Sequence, residues 1–257
     1  MLGETIHDCE NAFGAKRVTQ HGASGMRYFL HDGTLHGLQC VLPGREREPL
    51  GYFHREGLFG CIFELFTANA NARLAVIGLG AGCLAAYVTQ GQTITFVEID
   101  PEVISIARDP RYFSFVEDCR GTCRILEGDG LDRMANIPDG ELDLLMHDAF
   151  VGDVLSDHLV SDEAIVTYLR KTSPDGILAF HVSLMSEGGA GQKLKGTLVR
   201  RLQRLNLAVL FGDDMHAPSQ PDEAFRFGTR FLVAARSADR LQSLQNDPRW
   251  QPIPIVS

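Results

Sequence analysis

Apolar and polar positions alternate between two periods along this chain, and the pattern predicts strands and helices in turn. Leu74 to Ile77 is a short apolar run that breaks into a turn with glycine at every second residue, Gly78, Gly80 and Gly82. A helical segment follows, and the chain re-emerges in a second apolar run that ends at Glu98. That is one β-α-β unit, with glycines where the backbone must turn sharply at a strand's carboxyl end. Downstream, Pro101 to Arg108 reads as a helix with proline in its first turn, Thr122 to Leu126 as a strand, and Leu142 to His147 as another. Asp162 to Arg170 suits a helix and Gly176 to His181 a fifth strand. Regular alternation of this kind predicts a parallel, doubly wound α/β sheet of Rossmann-like type.

The flanks differ in style. Residues 1–24 are weakly patterned, whereas MRYFLH and TLHGLQC, between Met26 and Cys40, are strand-like runs joined by Asp32-Gly33, a hairpin signal. A small β-hairpin appendage over residues 1–51 is therefore expected before a main domain over residues 52–257. Leu42 to Gly51 is charged and loop-like, and Tyr52 to Phe66 has helical spacing. Near the carboxyl end, Leu194 to Leu205 reads as an amphipathic helix, and Leu207 to Phe211 with Thr229 to Ala235 as an antiparallel pair that closes a seven-stranded sheet. Loops at 42–51, 151–158, 184–191 and 212–228 are each a candidate for substrate access, and SLMSEGGAGQ (183–192) reads as a lid or a helix entry.

Composition narrows the classes. A chain of 257 residues holds one large α/β domain with a small addition. The formal net charge of −9 and the lack of a basic cluster exclude general nucleic-acid affinity. With no apolar run of about 18 residues and no basic-then-apolar leader, the expectation is a cytoplasmic protein without a membrane partner. The six cysteines, including the close pair Cys119 and Cys123, lack a second ligand pair at metal-site spacing, so free thiols and no metal are expected.

Ligands of open α/β sheets bind beyond the carboxyl ends of the strands, where strand order reverses. That rule collects Gly78, Gly80, Gly82, Glu98, Asp129, Asp148 and His181 on one rim. The glycine spacing departs from a dinucleotide fingerprint, since Cys83 stands where its third glycine belongs. It fits an S-adenosylmethionine fold. Glu98 is placed for two ribose hydroxyls, Asp129 for an adenine amino group, and Asp148 for the reacting centre. Each acid also has a plain reading as the cap of the next helix. His181 is a candidate proton relay, while strand alternation turns His147 to the other face and makes it a core residue. Phe150 and Trp250 read as packing residues.

DGTLHGLQ (Asp32 to Gln39), YFHREG (Tyr52 to Gly57), GLGAG, EID (Glu98 to Asp100), EGDG and HDAF together resemble the spermidine synthase or aminopropyltransferase family, from about residue 25 to residue 183. The resemblance implies a small β domain before a Rossmann-like transferase domain of the class I S-adenosylmethionine type, and a homodimer. It implies S-adenosylmethionine or its decarboxylated form as co-substrate and a small-molecule amine as acceptor. Gln39, Gly78, Gly80, Ala81, Gly82, Glu98, Ile99, Gly128, Asp129, Gly130 and Asp148 then line the nucleoside site. Asp148 becomes the base toward the attacking amine, and Tyr52 or His54 a substrate contact. Two departures follow. Ala81 and Val151 stand where the family carries amine-binding aspartates, with Asp153 the nearest replacement acid. Intact S-adenosylmethionine thereby becomes acceptable as donor. Methyl transfer, cyclisation of the donor's own side chain, and nucleoside binding without turnover remain alternatives.

Overall fold

The computed structural model describes residues 3–151, 154–182, 190–215 and 225–254. Its central sheet contains β5 (Arg73–Ile77), β6 (Thr93–Glu98), β7 (Thr122–Glu127), β8 (Leu142–His147), β11 (Thr172–His181), β12 (Ala208–Asp213), β13 (Arg230–Ala235) and β14 (Trp250–Pro252). The spatial order is β14-β12-β13-β11-β8-β5-β6-β7. The pairs from β11 through β7 are parallel, and those linking β11, β13, β12 and β14 are antiparallel. Among the described residues the sheet thus has eight strands rather than the expected seven. The addition, β14, is three residues long and ends in a proline, which an edge strand tolerates and which hides it from any strand pattern.

Both faces of the sheet are covered, as the near-continuous apolar strands require. On one face Leu74, Val76, Phe96, Leu144 and Met146 pack with Phe59, Ile62 and Phe63 of α1 (Leu58–Glu64). On the other, Ala75, Ile77, Leu145, Leu178 and Phe180 meet α3 (Gly130–Ala135), α4 (Asp162–Lys171) and α5 (Ala190–Arg204). The helix α2 (Pro101–Arg108) starts on an Asp100 cap and keeps the boundaries that the proline predicts. A short hairpin of β9 (Phe150–Val151) and β10 (Val154–Leu155) follows β8, and α6 (Gln242–Gln245) precedes β14.

Three elements depart from expectation. The amino-terminal unit is a four-stranded antiparallel meander, β1 (Glu4–Asn11), β2 (Gly14–His21), β3 (Met26–His31) and β4 (Thr34–Cys40), not a hairpin. The first two strands escape notice because β1 is largely exposed and β2 buries a lysine and a threonine, Lys16 and Thr19, beside Val18. After the glycine turn the chain makes only a 3-10 turn, Cys83–Tyr87, and is extended again at Val88. Residues 52–57 are turns, and α1 begins only after Gly57. Among the described residues no helix is long and apolar enough to cross a membrane.

Candidate functional site

Register aligns the strand ends into one rim. Ile77 lies opposite both Val97 and His147, Glu98 opposite Glu127, and His147 opposite Phe180. Gly78, Asp148 and His181 therefore emerge side by side. The backbone knits them together, because the Asp148 amide donates to the Ile77 carbonyl at 2.8 Å. Gly78 adopts φ +102°, and a Cβ there would lie 2.4 Å from the Asp148 carbonyl oxygen. Only glycine lets these two strand ends come so close.

The centre of the rim is a carboxylate-imidazole-hydroxyl chain. Asp148 Oδ1 and His181 Nδ1 are 2.5 Å apart, and His181 Nε2 lies 2.6 Å from Thr229 Oγ1. Asp148 keeps 13% of its side chain exposed and His181 2%. One carboxylate oxygen is thus fixed by the imidazole; no described residue hydrogen-bonds the other. Aromatic rings pack around His181: Phe231 stacks at 5.1 Å, Phe59 and Phe150 meet it edge-on at 5.2 Å, and Tyr52 lies at 5.5 Å. Phe150 is accordingly a packing residue. Trp250 likewise is buried on β14.

The two alternatives at YFHREG separate in space. Tyr52 reaches the His181 ring and donates its hydroxyl to the Leu35 carbonyl at 2.5 Å. Burial, then the negative charge of Asp148, pushes its phenol far above the ordinary range and keeps it protonated. His54 instead faces Glu56, at 3.5 Å.

Glu98 lies at the tip of β6 with Oε2 accepting from the Leu79 amide at 3.1 Å and Oε1 from the Asp100 amide at 3.0 Å. Burial raises its carboxyl, although these amides pull the other way. Asp129 caps α3, its Oδ1 accepting from the amides of Leu131 and Asp132 and lying 3.3 Å from His158. Burial alone would raise this carboxyl; the Asp132 amide, His158 and the Leu131 amide hold it below its usual value. The capping role is real, and it leaves Oδ2 without a protein partner among the described residues. Ile99 is exposed beside Glu98. Gly128 has φ +138°, and a Cβ there would meet the Arg133 guanidinium, while Gly130 is packed beneath Ile77 and Leu159.

Two expected nucleoside contacts are turned inward. Ala81 is 1% exposed, and its methyl faces Gly37 of β4, where a Cβ would stand only 2.5 Å away. Close packing of the glycine turn on β4 is the cause, and Gly80 shares it, with the His36 carbonyl 2.6 Å from where its Cβ would be. Gln39 is 1% exposed, and its amide bridges the Glu46 carbonyl and Ser114, whose own amide donates to Gln39 Oε1. It is a strut between β4 and residues 113–118. Asp153, Gly152 and most of the lid candidate 183–192 lie outside the described residues.

Two contributors escaped sequence reasoning. His36, inside the DGTLHGLQ motif, interacts electrostatically with Asp148 and His181; burial, then neighbouring His31, lowers it to about 4. Thr229 immediately precedes β13, and only the antiparallel pairing of β13 with β11 brings it to His181. A polar residue within an apolar hairpin was the available signal for His36.

His147 is fully buried, stacks on Phe180 at 6.2 Å, and has no hydrogen-bond partner on either ring nitrogen among the described residues. It belongs to the core, as alternation requires, and burial lowers it to about 4. Both His36 and His147 therefore stay neutral in the folded protein at pH values where the unfolded chain, with an ordinary imidazole near 6.5, takes up protons. Their contribution is intact above that value and is lost as pH falls toward about 4. We expect urea-unfolding stability to fall by on the order of a few kcal/mol between pH 7 and pH 5. Glu98, with its raised carboxyl, subtracts part of that slope, and His147→Leu should flatten it.

Comparison with known proteins places this architecture. No family model matches the chain. It is 29% identical over 129 residues to an uncharacterized protein of Methanocaldococcus jannaschii, a match that spans half of this chain and 43% of that relative's length. Three solved structures share the fold over nearly the whole chain. A probable spermidine synthase from Corynebacterium glutamicum superposes with a TM-score of 0.69 at 13% identity, covering 99% of this chain and 91% of that one. Spermidine synthase from Thermotoga maritima gives 0.61 at 16% identity, covering 93% and 75%. A spermidine synthase in complex with the transition-state analogue AdoDATO gives 0.62 at 16% identity, covering 93% and 76%. The chain has the fold of the spermidine synthases, with a sequence far removed from them.

Proposed function

We propose that this protein is a transferase that alkylates a small-molecule amine from an S-adenosyl sulfonium, moving an aminopropyl or aminocarboxypropyl group and releasing methylthioadenosine. The observation that carries the reading is the Asp148-His181-Thr229 chain, set beside the glycine turn and Glu98 at the point where strand order reverses. The residues present suit a nucleoside of this kind. Glu98 and Asp129 retain lone pairs toward the rim for ribose hydroxyls and an adenine amino group, and the Gly78 turn keeps that end of the rim low. The sulfonium supplies an electrophilic carbon, with a thioether as leaving group.

The protein's share is proton handling and orientation. An ammonium has no lone pair, so the acceptor nitrogen must reach the site as a free amine and shed a proton as its C–N bond forms and the C–S bond breaks. Asp148 Oδ2 takes that proton. His181 fixes the carboxylate through Oδ1, and Thr229 holds the far nitrogen of the imidazole, so that the unbound oxygen is presented rather than free to rotate. Tyr52, Phe59, Phe150 and Phe231 keep water from His181.

Position 81 packs on Gly37 and not toward the rim, so intact and decarboxylated S-adenosylmethionine are both kept as donors. Incubation with S-adenosylmethionine or its decarboxylated form, with and without polyamines, followed by separation of the nucleosides, tests the reading. Methylthioadenosine is the expected product, and its formation without any amine would point to cyclisation. S-adenosylhomocysteine in its place would mean methyl transfer. Nucleoside binding with no product under any condition would reduce the protein to a binding module.

A further inference from the structure

We propose that His7, Cys9 and Glu102 form a binding site for a zinc-type divalent cation in the seam between β1 and α2. Among the described residues, this is one group of ligating side chains whose donor atoms all lie within 4.8 Å of one another. His7 and Cys9 stand two apart on β1 and so share a face. Glu102 reaches them from the first turn of α2, with Oε1 3.1 Å from His7 Nε2. Zinc binds nitrogen, oxygen and sulfur at about 2.0–2.3 Å, which places the donors of a tetrahedral site roughly 3.3–3.8 Å apart. His7 and Glu102 stand at 3.1 Å, and the Cys9 thiol lies within 4.8 Å of both, so about an ångström of side-chain adjustment closes the set. No large movement of either element is needed.

The donor set selects the ion. A thiolate with an imidazole favours zinc over calcium or magnesium, and a carboxylate completes a set whose two negative charges balance a dication. The second ring nitrogen of His7 is also held, with the Tyr112 hydroxyl 3.2 Å from Nδ1. An outer partner of this kind fixes which nitrogen of a ligating imidazole faces the metal. A ligating thiol gives up its proton to solvent, and with Nε2 on the ion the ring proton of His7 sits on Nδ1, where the Tyr112 oxygen can accept it. Lys16 does not compete for the carboxylate, since its ammonium is held by Asp100, Asn11 and the Gly14 carbonyl.

Such an ion would tie the amino-terminal meander to the helix that follows Glu98. The spacing of the ligands in sequence hides it, because Glu102 lies 95 residues from His7. The site is independent of the transferase reading and touches none of its residues.

Cobalt titration of the chelator-treated full chain tests it. One equivalent should bind and give thiolate-to-cobalt charge-transfer absorption, and zinc should displace it. Cys9→Ser should remove the absorption and weaken zinc binding by more than about a hundredfold, and Tyr112→Phe should weaken it about tenfold. Cys119→Ser should change neither. A wild-type chain that shows no charge-transfer band at stoichiometric cobalt overturns the proposal, as does a band that survives Cys9→Ser or vanishes with Cys119→Ser.

Discussion

Asp148→Asn is expected to lower turnover by about 10²–10⁴-fold while leaving nucleoside affinity largely unchanged. Asparagine keeps an oxygen that can accept from His181 Nδ1, so the 2.5 Å contact has a near-isosteric successor and the rim keeps its shape. What disappears is the second carboxylate oxygen, the one that takes the amine proton. Single-turnover rates measured beside nucleoside binding by calorimetry separate the two effects. An unaltered rate would remove Asp148 from the chemistry. A parallel loss of binding and rate would make it a nucleoside ligand instead.

Lys16→Met should cost about 3–5 kcal/mol of folding stability, the largest loss expected from a single surface-distant substitution outside the rim. Lys16 and Asp100 form an ion pair whose side chains are 0% and 1% exposed. Asn11 donates to the same carboxylate at 2.8 Å, and Asp100 caps α2 through the Glu102 amide. Removing the ammonium strands a buried negative charge at the start of a helix. Urea denaturation of Lys16→Met, Asp100→Asn and the double variant gives the coupling directly. The double variant should recover part of the loss, since it buries no unpaired charge. Additive losses in the double variant would show that the two groups do not interact.

How far the sequence could be read depended on whether a residue's role was local. The glycine turn, the Asp100-Pro101 helix start and the apolar strands are local patterns, and the fold repeats them with near-identical boundaries. Rim positions followed from one rule applied to strand ends, which brought Asp148 and His181 together without any contact being visible. The reading failed where burial ran against polarity: β2 hides Lys16 and Thr19 in its interior face, so no alternation of apolar residues announced it. It failed again where a partner came from a distant strand. Thr229 reaches His181 only through the antiparallel closure of the sheet, and His36 approaches Asp148 only because the meander folds back on the glycine turn. Ala81 and Gln39 were legible as motif positions but not as oriented side chains, because motif spacing carries no information about which neighbour will occupy the space beside them.

The contact between Gly78 and the Asp148 carbonyl bears on how any ligand is felt by the protein. A side chain held only by its rotamer can swing to suit its substrate, but here the main chain of the proposed base, Asp148, rests directly against the main chain of the proposed nucleoside turn at Gly78. Pressure on one is displacement of the other. On the proposed function, occupancy of the nucleoside site and aim of the carboxylate are coupled through this contact, and a donor that seats poorly is penalised in reactivity as well as in residence.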